Sequence, residues 1–456
     1  MPNKKLKILM AAAEVAPLAK VGGLADVIGA LPKALKRLNL DARVIMPCYG
    51  LIDKNQYNLK LIKQNIKSGG APINIWLTKL PASAVPLYLI EHDFFKDKKI
   101  YSTTLAGGQQ DIKKFVFFSQ AVLDSLKALG FAPDIIHLHD WHTAALAARL
   151  KTDYQDDQFF KQTKTVFTIH NLANQGLTET KNYLAEGILK ADLINTVSPT
   201  YAKEILTKQY GAGLEKILNQ RKADLYGILN GLDTDFFNPA ADNLISQKYA
   251  LKNLDKKIAN KLALQKLLGW PSDKNTALIG LVTRFVWQKG LDLITEKFSQ
   301  LNCQFVFLGT GEKRYEQALL NLAEKYPAKF KTLIKFDEQL AHEIYAASDI
   351  FLAPSRFEPC GLTQLIAMRY GAVPLVRATG GLADTVNYKT GFVFKKYSDQ
   401  ALYKTLNKAL TVFYKQPRLW RQLQTNGLKQ DFSWKNPARQ YLKLYQKLSK
   451  MKNKSL

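Results

Sequence analysis

An α/β fold of two doubly wound domains in series is the architecture this sequence predicts, and three observations carry that expectation. Strand-like apolar runs alternate with amphipathic helical stretches from end to end, the pattern of βαβ units around a parallel sheet. The 456 residues exceed what one core organises and suit two domains of about 200 residues each. The letters Gly-Gly-Leu-Ala-Asp occur twice, at 22–26 and at 380–384, each time between a strand-like run and a helix-like one. A glycine pair there lets backbone approach a ligand, and the helix start behind it offers N–H groups and a positive dipole end to an anion.

In chain order, the first half places strands at 6–10, 42–47, 85–91, 135–138, 165–169, 193–197 and 225–229, with helices clearest at 26–38, 112–129 and 143–151. Turn residues and a proline in Asn230-Gly-Leu-Asp-Thr-Asp-Phe-Phe-Asn-Pro239 close this half, and a polar, Lys-rich helical stretch runs on to Leu268. Strands then restart at 277–282, 304–308, 333–336, 350–353, 373–376 and 392–394. Helices are expected between them at 291–298, 315–325, 338–347, 362–370 and 399–413. The expected domains are 1–240 and 241–432, with a basic helix and tail at 433–456 returning to the first. Open sheets bind ligands outside the carboxyl ends of their strands, so a cleft facing both sheets is the expected site.

Composition narrows the function classes. Apolar content of 47% with 11% aromatics is that of a globular protein. No apolar run approaches the roughly 18 residues that span a bilayer, and the apolar start reads as a first strand without a cleavage-type layout. Three cysteines, Cys48, Cys303 and Cys360, lack metal spacing and fit a reducing cytoplasm. The net charge of +27 is expected to spread over solvent-facing helix positions such as Lys33, Lys36, Lys114, Lys252, Lys256 and Lys257. Without a basic run of five or a nucleic-acid-binding signature, it reads as a solvated surface that attracts small anions. Neither a nucleic acid nor a membrane is expected as a partner.

Several segments carry chemistry. Lys20 precedes the first glycine pair (Gly22, Gly23), so its ammonium can meet an anion on that loop. Pro133-Asp-Ile-Ile-His-Leu-His-Asp-Trp-His142 crowds His137, His139, Asp140 and His142 at one strand end, and Thr168-Ile-His-Asn171 puts His170 and Asn171 at another. No further carboxylate or cysteine cluster accompanies these histidines, so placement of a hydroxyl-rich substrate is favoured over a metal. In the second half, Arg284 and Lys289 leave a strand five residues apart, a fork and a point charge suited to a pyrophosphate leaving group. Ser355-Arg-Phe-Glu-Pro-Cys-Gly-Leu-Thr-Gln364 sets Glu358 at an expected strand end. The N–H groups of Gly361, Leu362 and Thr363 then open a helix that can receive phosphate. A carboxylate beside an anion site is costly unless it serves a purpose such as bonding sugar hydroxyls.

Together these segments resemble the bacterial glycogen synthase and plant starch synthase family, nearly end to end. The run Lys-Val-Gly-Gly-Leu-Ala-Asp at 20–26 and the run 355–364 carry the resemblance. The runs 139–142, 168–171, 230–233, 284–290 and 379–386 support it. The resemblance implies two Rossmann-like domains in the GT-B arrangement, and retaining transfer of glucose from ADP-glucose to an α-1,4-glucan, with no metal and no cofactor. By the same resemblance Lys20, Gly22, Gly23, Arg284 and Lys289 hold the diphosphate. Asn230 joins the donor site, and Glu358 with the N–H groups near Gly361, Leu362 and Thr363 holds the glucose. His170 faces the reacting sugar, with Asp140 nearby. Phe336 stands where relatives stack a tyrosine on adenine, keeping the ring and losing the hydroxyl. The stretch 92–111, with Tyr101, departs from the family pattern on the acceptor side. Another GT-B transferase, sucrose- or sugar-phosphate-forming, remains as an alternative that the Lys20 motif disfavours. A polyanion-binding protein on a degenerate scaffold is the more distant one.

Overall fold

The alternating apolar runs become two sheets, each wound with helices. A computed structural model describes residues 5–102 and 108–451. Part of the acceptor-side stretch (103–107) and the end of the basic tail (452–456) lie outside the described residues.

The chain divides into two compact units. The first contains the residues up to Gly231 and those from Trp434 onward, and the second is Leu232–Ser433. The expected boundary at 240/241 therefore moves to 231/232, for a reason the turn residues do not reveal. The segment after Leu232 is already bonded into the second unit. The Leu232 N–H donates to the Phe432 carbonyl at 2.7 Å. Buried Asp242 accepts from the Tyr370 hydroxyl at 2.5 Å and pairs with His342 Nδ1 at 2.7 Å. Phe237 stacks on the His342 ring at 5.2 Å, and the Tyr249 hydroxyl donates to the Tyr370 carbonyl at 2.7 Å.

The nine-stranded sheet of the first unit runs, in space, Lys60–Ser68, Ala71–Lys79, Pro86–Glu91, Asp41–Pro47, Lys7–Ala11, Ile135–His139, Lys164–Ile169, Leu193–Thr196 and Leu225–Gly227. All neighbours are parallel except around Ala71–Lys79, which is antiparallel to both of its own. Ile8, Leu9 and Met10 on the central strand are fully buried, each such side chain contributing about 1.5–3 kcal/mol. The hairpin Lys60–Ser68/Ala71–Lys79 was not expected, because its outer strand exposes Lys60, Lys63, Gln64 and Asn65 and has no apolar run. Its one signal is Gly69-Gly70, both at positive φ (52° and 86°), the requirement of a tight hairpin turn.

The second unit's six-stranded sheet is parallel throughout: Phe330–Ile334, Cys303–Gly309, Ala277–Val282, Ile350–Ala353, Val373–Arg377 and Phe392–Phe394. Two expected elements differ. The helix at 291–298 is instead the 3₁₀ turns Leu291–Leu293 and Glu296–Gln300, interrupted by extended Ile294 and Thr295, a β-branched pair that disfavours helix. The strand expected at 333–336 is Phe330–Ile334, which leaves Phe336 beyond its end and 83% exposed.

The final helix, Lys435–Lys450, packs against Gly23–Arg37 and sends two tyrosines beneath the first sheet. The Tyr445 hydroxyl meets His137 Nδ1 at 2.7 Å, and Asn195 Nδ2 donates to the Tyr441 hydroxyl at 3.0 Å. Among the parallel strands of each sheet the order reverses once, between Lys7–Ala11 and Ile135–His139, and between Ala277–Val282 and Ile350–Ala353. Loops at the carboxyl ends of strands on either side of such a reversal splay apart, which is where doubly wound sheets bind ligands.

Candidate active site

The chemistry-bearing residues of the first unit sit at its reversal point. Strand Ile135–His139 ends in buried Asp140, whose φ of 55° is unusual for a residue with a side chain. That turn aims Oδ1 at the next strand end, where it accepts the His170 N–H at 2.7 Å and the Asn171 N–H at 3.4 Å. Burial pushes the Asp140 carboxyl up to about 7; the two N–H bonds oppose this and the charge of Glu14 adds to it. His139 Nδ1 lies 2.9 Å from His170 Nε2. His137 bonds Thr168 Oγ1 at 2.5 Å and does not reach the loops. Among the described residues no group of three or more His, Cys, Asp or Glu side chains is placed to hold a metal ion.

Burial holds all four of these rings neutral, pulling His137, His142 and His170 down to about 3 and lowering His139 as well. Unfolded histidines take up protons near pH 6.5. As pH falls from there towards 3, the unfolded chain binds protons that the folded one refuses, so stability is lost. Asp140 acts in the opposite sense, since a raised carboxyl pKa adds stability as pH drops through about 7. Four rings outweigh one carboxyl. His142 has no hydrogen-bond partner on either ring nitrogen among the described residues, and packs on Phe115, Trp141 and Tyr101 at 4.7, 4.3 and 5.3 Å. His142→Phe should therefore shrink the fall in urea midpoint between pH 7 and pH 5, whereas an unchanged fall would refute this origin.

The first glycine loop differs from the sequence expectation in one respect. Gly22, extended at φ −145°, caps the helix Gly23–Arg37. Its N–H is already committed, because it and the Val21 N–H donate to buried Glu14 Oε2 at 2.9 and 2.7 Å. Glu14 Oε1 accepts from the Tyr101 hydroxyl at 2.5 Å. What the loop still presents is Lys20, paired with Asp26 at 2.7 Å, and exposed Gly23 at the helix start. Sequence reading passed over Glu14, whose only signal is a carboxylate in an otherwise apolar strand exit.

In the second unit Glu358 is not at a strand end, as expected, but five residues beyond strand Ile350–Ala353. Its position comes from neighbours instead. Lys289 Nζ is 2.6 Å from Glu358 Oε2, and Ser355 Oγ donates to the same oxygen at 2.9 Å. The loops carrying Lys289 and Glu358 are joined by the Arg356 N–H to the Gln288 carbonyl at 2.8 Å. The Arg356 guanidinium lies over the rings of Trp287 and Tyr397 at 4.6 and 4.1 Å. Arg284 leaves the same loop exposed. Gly361, Leu362 and Thr363 open the helix Thr363–Arg369, where N–H groups lack intrahelical acceptors. Gln364 Nε2 pins this turn by bonding the Gly361 carbonyl at 2.7 Å.

The second Gly-Gly-Leu-Ala-Asp buttresses that turn. Gly380 has φ 43°, and a Cβ on it would stand 1.9 Å from the Glu358 carbonyl oxygen. A Cβ on Gly381 would stand 2.1 Å from that of Cys360. The Gly381 N–H donates to the Glu358 carbonyl at 3.1 Å. A Cβ on Gly22, in the first copy, would meet nothing within 4 Å. Asn230, buried with an Oδ1 that has no partner among the described residues, belongs to the first unit, and exposed Phe336 to the second.

Residues 7–220 match the starch synthase catalytic domain, and residues 268–423 match glycosyl transferases group 1. A glycogen synthase of Thermotoga petrophila is 43% identical, covering 97% of this chain and 99% of its own. The chain belongs to the glycogen and starch synthase family. It is thus a glycosyltransferase, and glycogen synthase 2 of Geobacter sulfurreducens agrees at 42% identity over 96% of this chain and 98% of its own. Among solved structures, the catalytic domain of starch synthase IV from Arabidopsis thaliana, bound to ADP and acarbose, superposes with a TM-score of 0.90 at 34% identity. That match covers 98% of this chain and all of the other. A sucrose-phosphate synthase from Thermosynechococcus elongatus shares the fold alone, at TM-score 0.62 and 18% identity. The family's two Rossmann-like, GT-B domains are those the sequence predicted. No described helix is long and apolar enough to cross a membrane.

Proposed function

We propose that this family member transfers glucose from ADP-glucose to the non-reducing 4-OH of an α-1,4-glucan, with retention, in the cytoplasm. The observation that carries the reading is the Lys289–Glu358–Ser355 cluster with Arg284 on the same loop. It sets two cations and one carboxylate beside a helix start, a set of groups suited to a sugar diphosphate. Arg284, Lys289 and Lys20 take the diphosphate, with Gly22, Gly23 and the N–H groups of Gly361, Leu362 and Thr363 around it. Glu358 turns to the glucose hydroxyls, Phe336 lies under the adenine, and Asn230 completes the donor contacts. His170 addresses the sugar, and Asp140 sets its position through the bond to its N–H.

Asp140 spends its inward oxygen on backbone N–H groups, so it makes a poor nucleophile, and no facing pair of carboxylates for a double displacement can be assigned among the described residues. Front-side substitution fits better. The acceptor 4-OH bonds to C1 on the face that the phosphate leaves, and its proton passes to the departing phosphate oxygen. Arg284 and Lys289 neutralise the charge that grows there. Incubation with glycogen and ADP-glucose or UDP-glucose, followed by nucleoside diphosphate release, tests the reading. Release of ADP with growth of α-1,4 chains is expected, and no release from ADP-glucose would overturn it.

A further inference from the structure

We propose that His139 is a positioning residue that donates its Nδ1–H to His170 Nε2, fixing His170 as the Nδ1–H tautomer so that its ring offers a hydrogen-bond donor to the sugar. The proposal rests on His170 addressing the sugar.

The two ring nitrogens are 2.9 Å apart, so one carries hydrogen and the other a lone pair. His139 Nε2 decides between the two arrangements. It is buried and has no partner among the described residues. If His139 Nδ1 accepted, Nε2 would carry a buried N–H with nothing to receive it. If Nδ1 donates, the orphan is only a bare lone pair. Orphaned buried N–H groups are the rarer and costlier case. Burial lowers the pKa of both rings and so favours their neutral forms over a shared imidazolium proton.

The histidine beneath has its hydrogen fixed independently. Thr168 Oγ1 gives its proton to Asn195 Oδ1 at 2.6 Å, and Asn195 Nδ2 donates to the Tyr441 hydroxyl at 3.0 Å. Thr168 can therefore only accept from His137 Nε2–H, while His137 Nδ1 accepts from Tyr445. His137 packs on His139 at 4.2 Å between centroids, tilted by 35°, and bonds elsewhere, so it holds the ring in place without supplying a proton. His170 then keeps Nδ1–H, a nitrogen with no hydrogen bond among the described residues. A neutral ring N–H at this point is a donor that can grip a sugar hydroxyl.

Nitrogen-15 NMR of the full-length chain labelled at histidine, with the His170 signals assigned by their loss in His170→Ala, reads the tautomer directly. Protonated Nδ1 and bare Nε2 are expected for His170; protonated Nε2 overturns the proposal. This measurement uses no substrate, so it stands whether or not glucose transfer is found. On activity, His139→Ala should lower kcat about 10–100-fold with the nucleotide-sugar KM little changed. His139→Asn, which returns an amide N–H near the Nδ1 position, should recover most of the loss. An Asn variant that folds and is as slow as the Ala variant counts against donation from this position.

Discussion

Lys289→Ala is expected to lower kcat about 10²–10³-fold, the usual consequence of deleting one preorganised group that meets charge in the transition state. In the free protein Lys289 balances Glu358 at 2.6 Å, and both side chains are mostly buried. Its removal leaves the carboxylate with Ser355 alone, so a modest loss of stability accompanies the kinetic one. Arg284→Ala separates the two effects. Arg284 is exposed, so its loss should spare stability and still slow turnover by orders of magnitude. Nucleoside diphosphate release at saturating substrate gives kcat, and thermal unfolding gives the fold. Unchanged turnover in either variant would remove its cation from the mechanism. Lys289→Arg should not restore the wild-type rate, since a planar fork cannot reproduce a point charge set between Glu358 and a phosphate.

Gly380→Ala should cost about 2–5 kcal/mol and most of the activity, from a left-handed backbone carrying a side chain plus an overpacked contact. Its Cβ would fall 1.9 Å from the Glu358 carbonyl, a backbone atom that cannot swing aside. The displacement would therefore reach the carboxylate through its own main chain. Gly22→Ala supplies the contrast. Gly22 is extended and open, so stability should stay within about 0.5 kcal/mol. A raised KM for the nucleotide sugar would then report a ligand close to that backbone. Urea denaturation and initial rates measure both variants. A Gly380→Ala protein that is stable and fast would refute the buttress.

The pair also shows what the letters alone conveyed. Identical five-residue runs marked two helix starts, and both exist at Gly23–Arg37 and Gly380–Thr385. Which run was open and which packed depended on contacts far along the chain, between Gly380 and Glu358, and between Gly22 and Glu14. Periodicity located nearly every parallel strand, because buried strands are continuous apolar runs. It missed Lys60–Ser68, where an edge strand is half polar, and it lengthened a helix across Ile294 and Thr295. The site residues were found by type and order: Lys289 and Glu358 were named separately, and their ion pair is a fact of folding. Ser355 stands in the same motif as Glu358, yet nothing in a serine's neighbours announces its acceptor. Asp140 was named as lying near His170, but not that its carboxylate would grip that residue's N–H.

The excursion of the chain out of the first unit at Gly231 and back at Trp434 sets an order of events during synthesis. A ribosome releases nearly all of the first unit early, yet the tyrosines that close the polar network under His137 emerge only after the whole second unit, on Lys435–Lys450. The nascent first unit must wait with those groups open while the second, contiguous unit can fold as a single stretch. A premature stop just before Trp434 would thus spare the unit made most recently and injure the one made first.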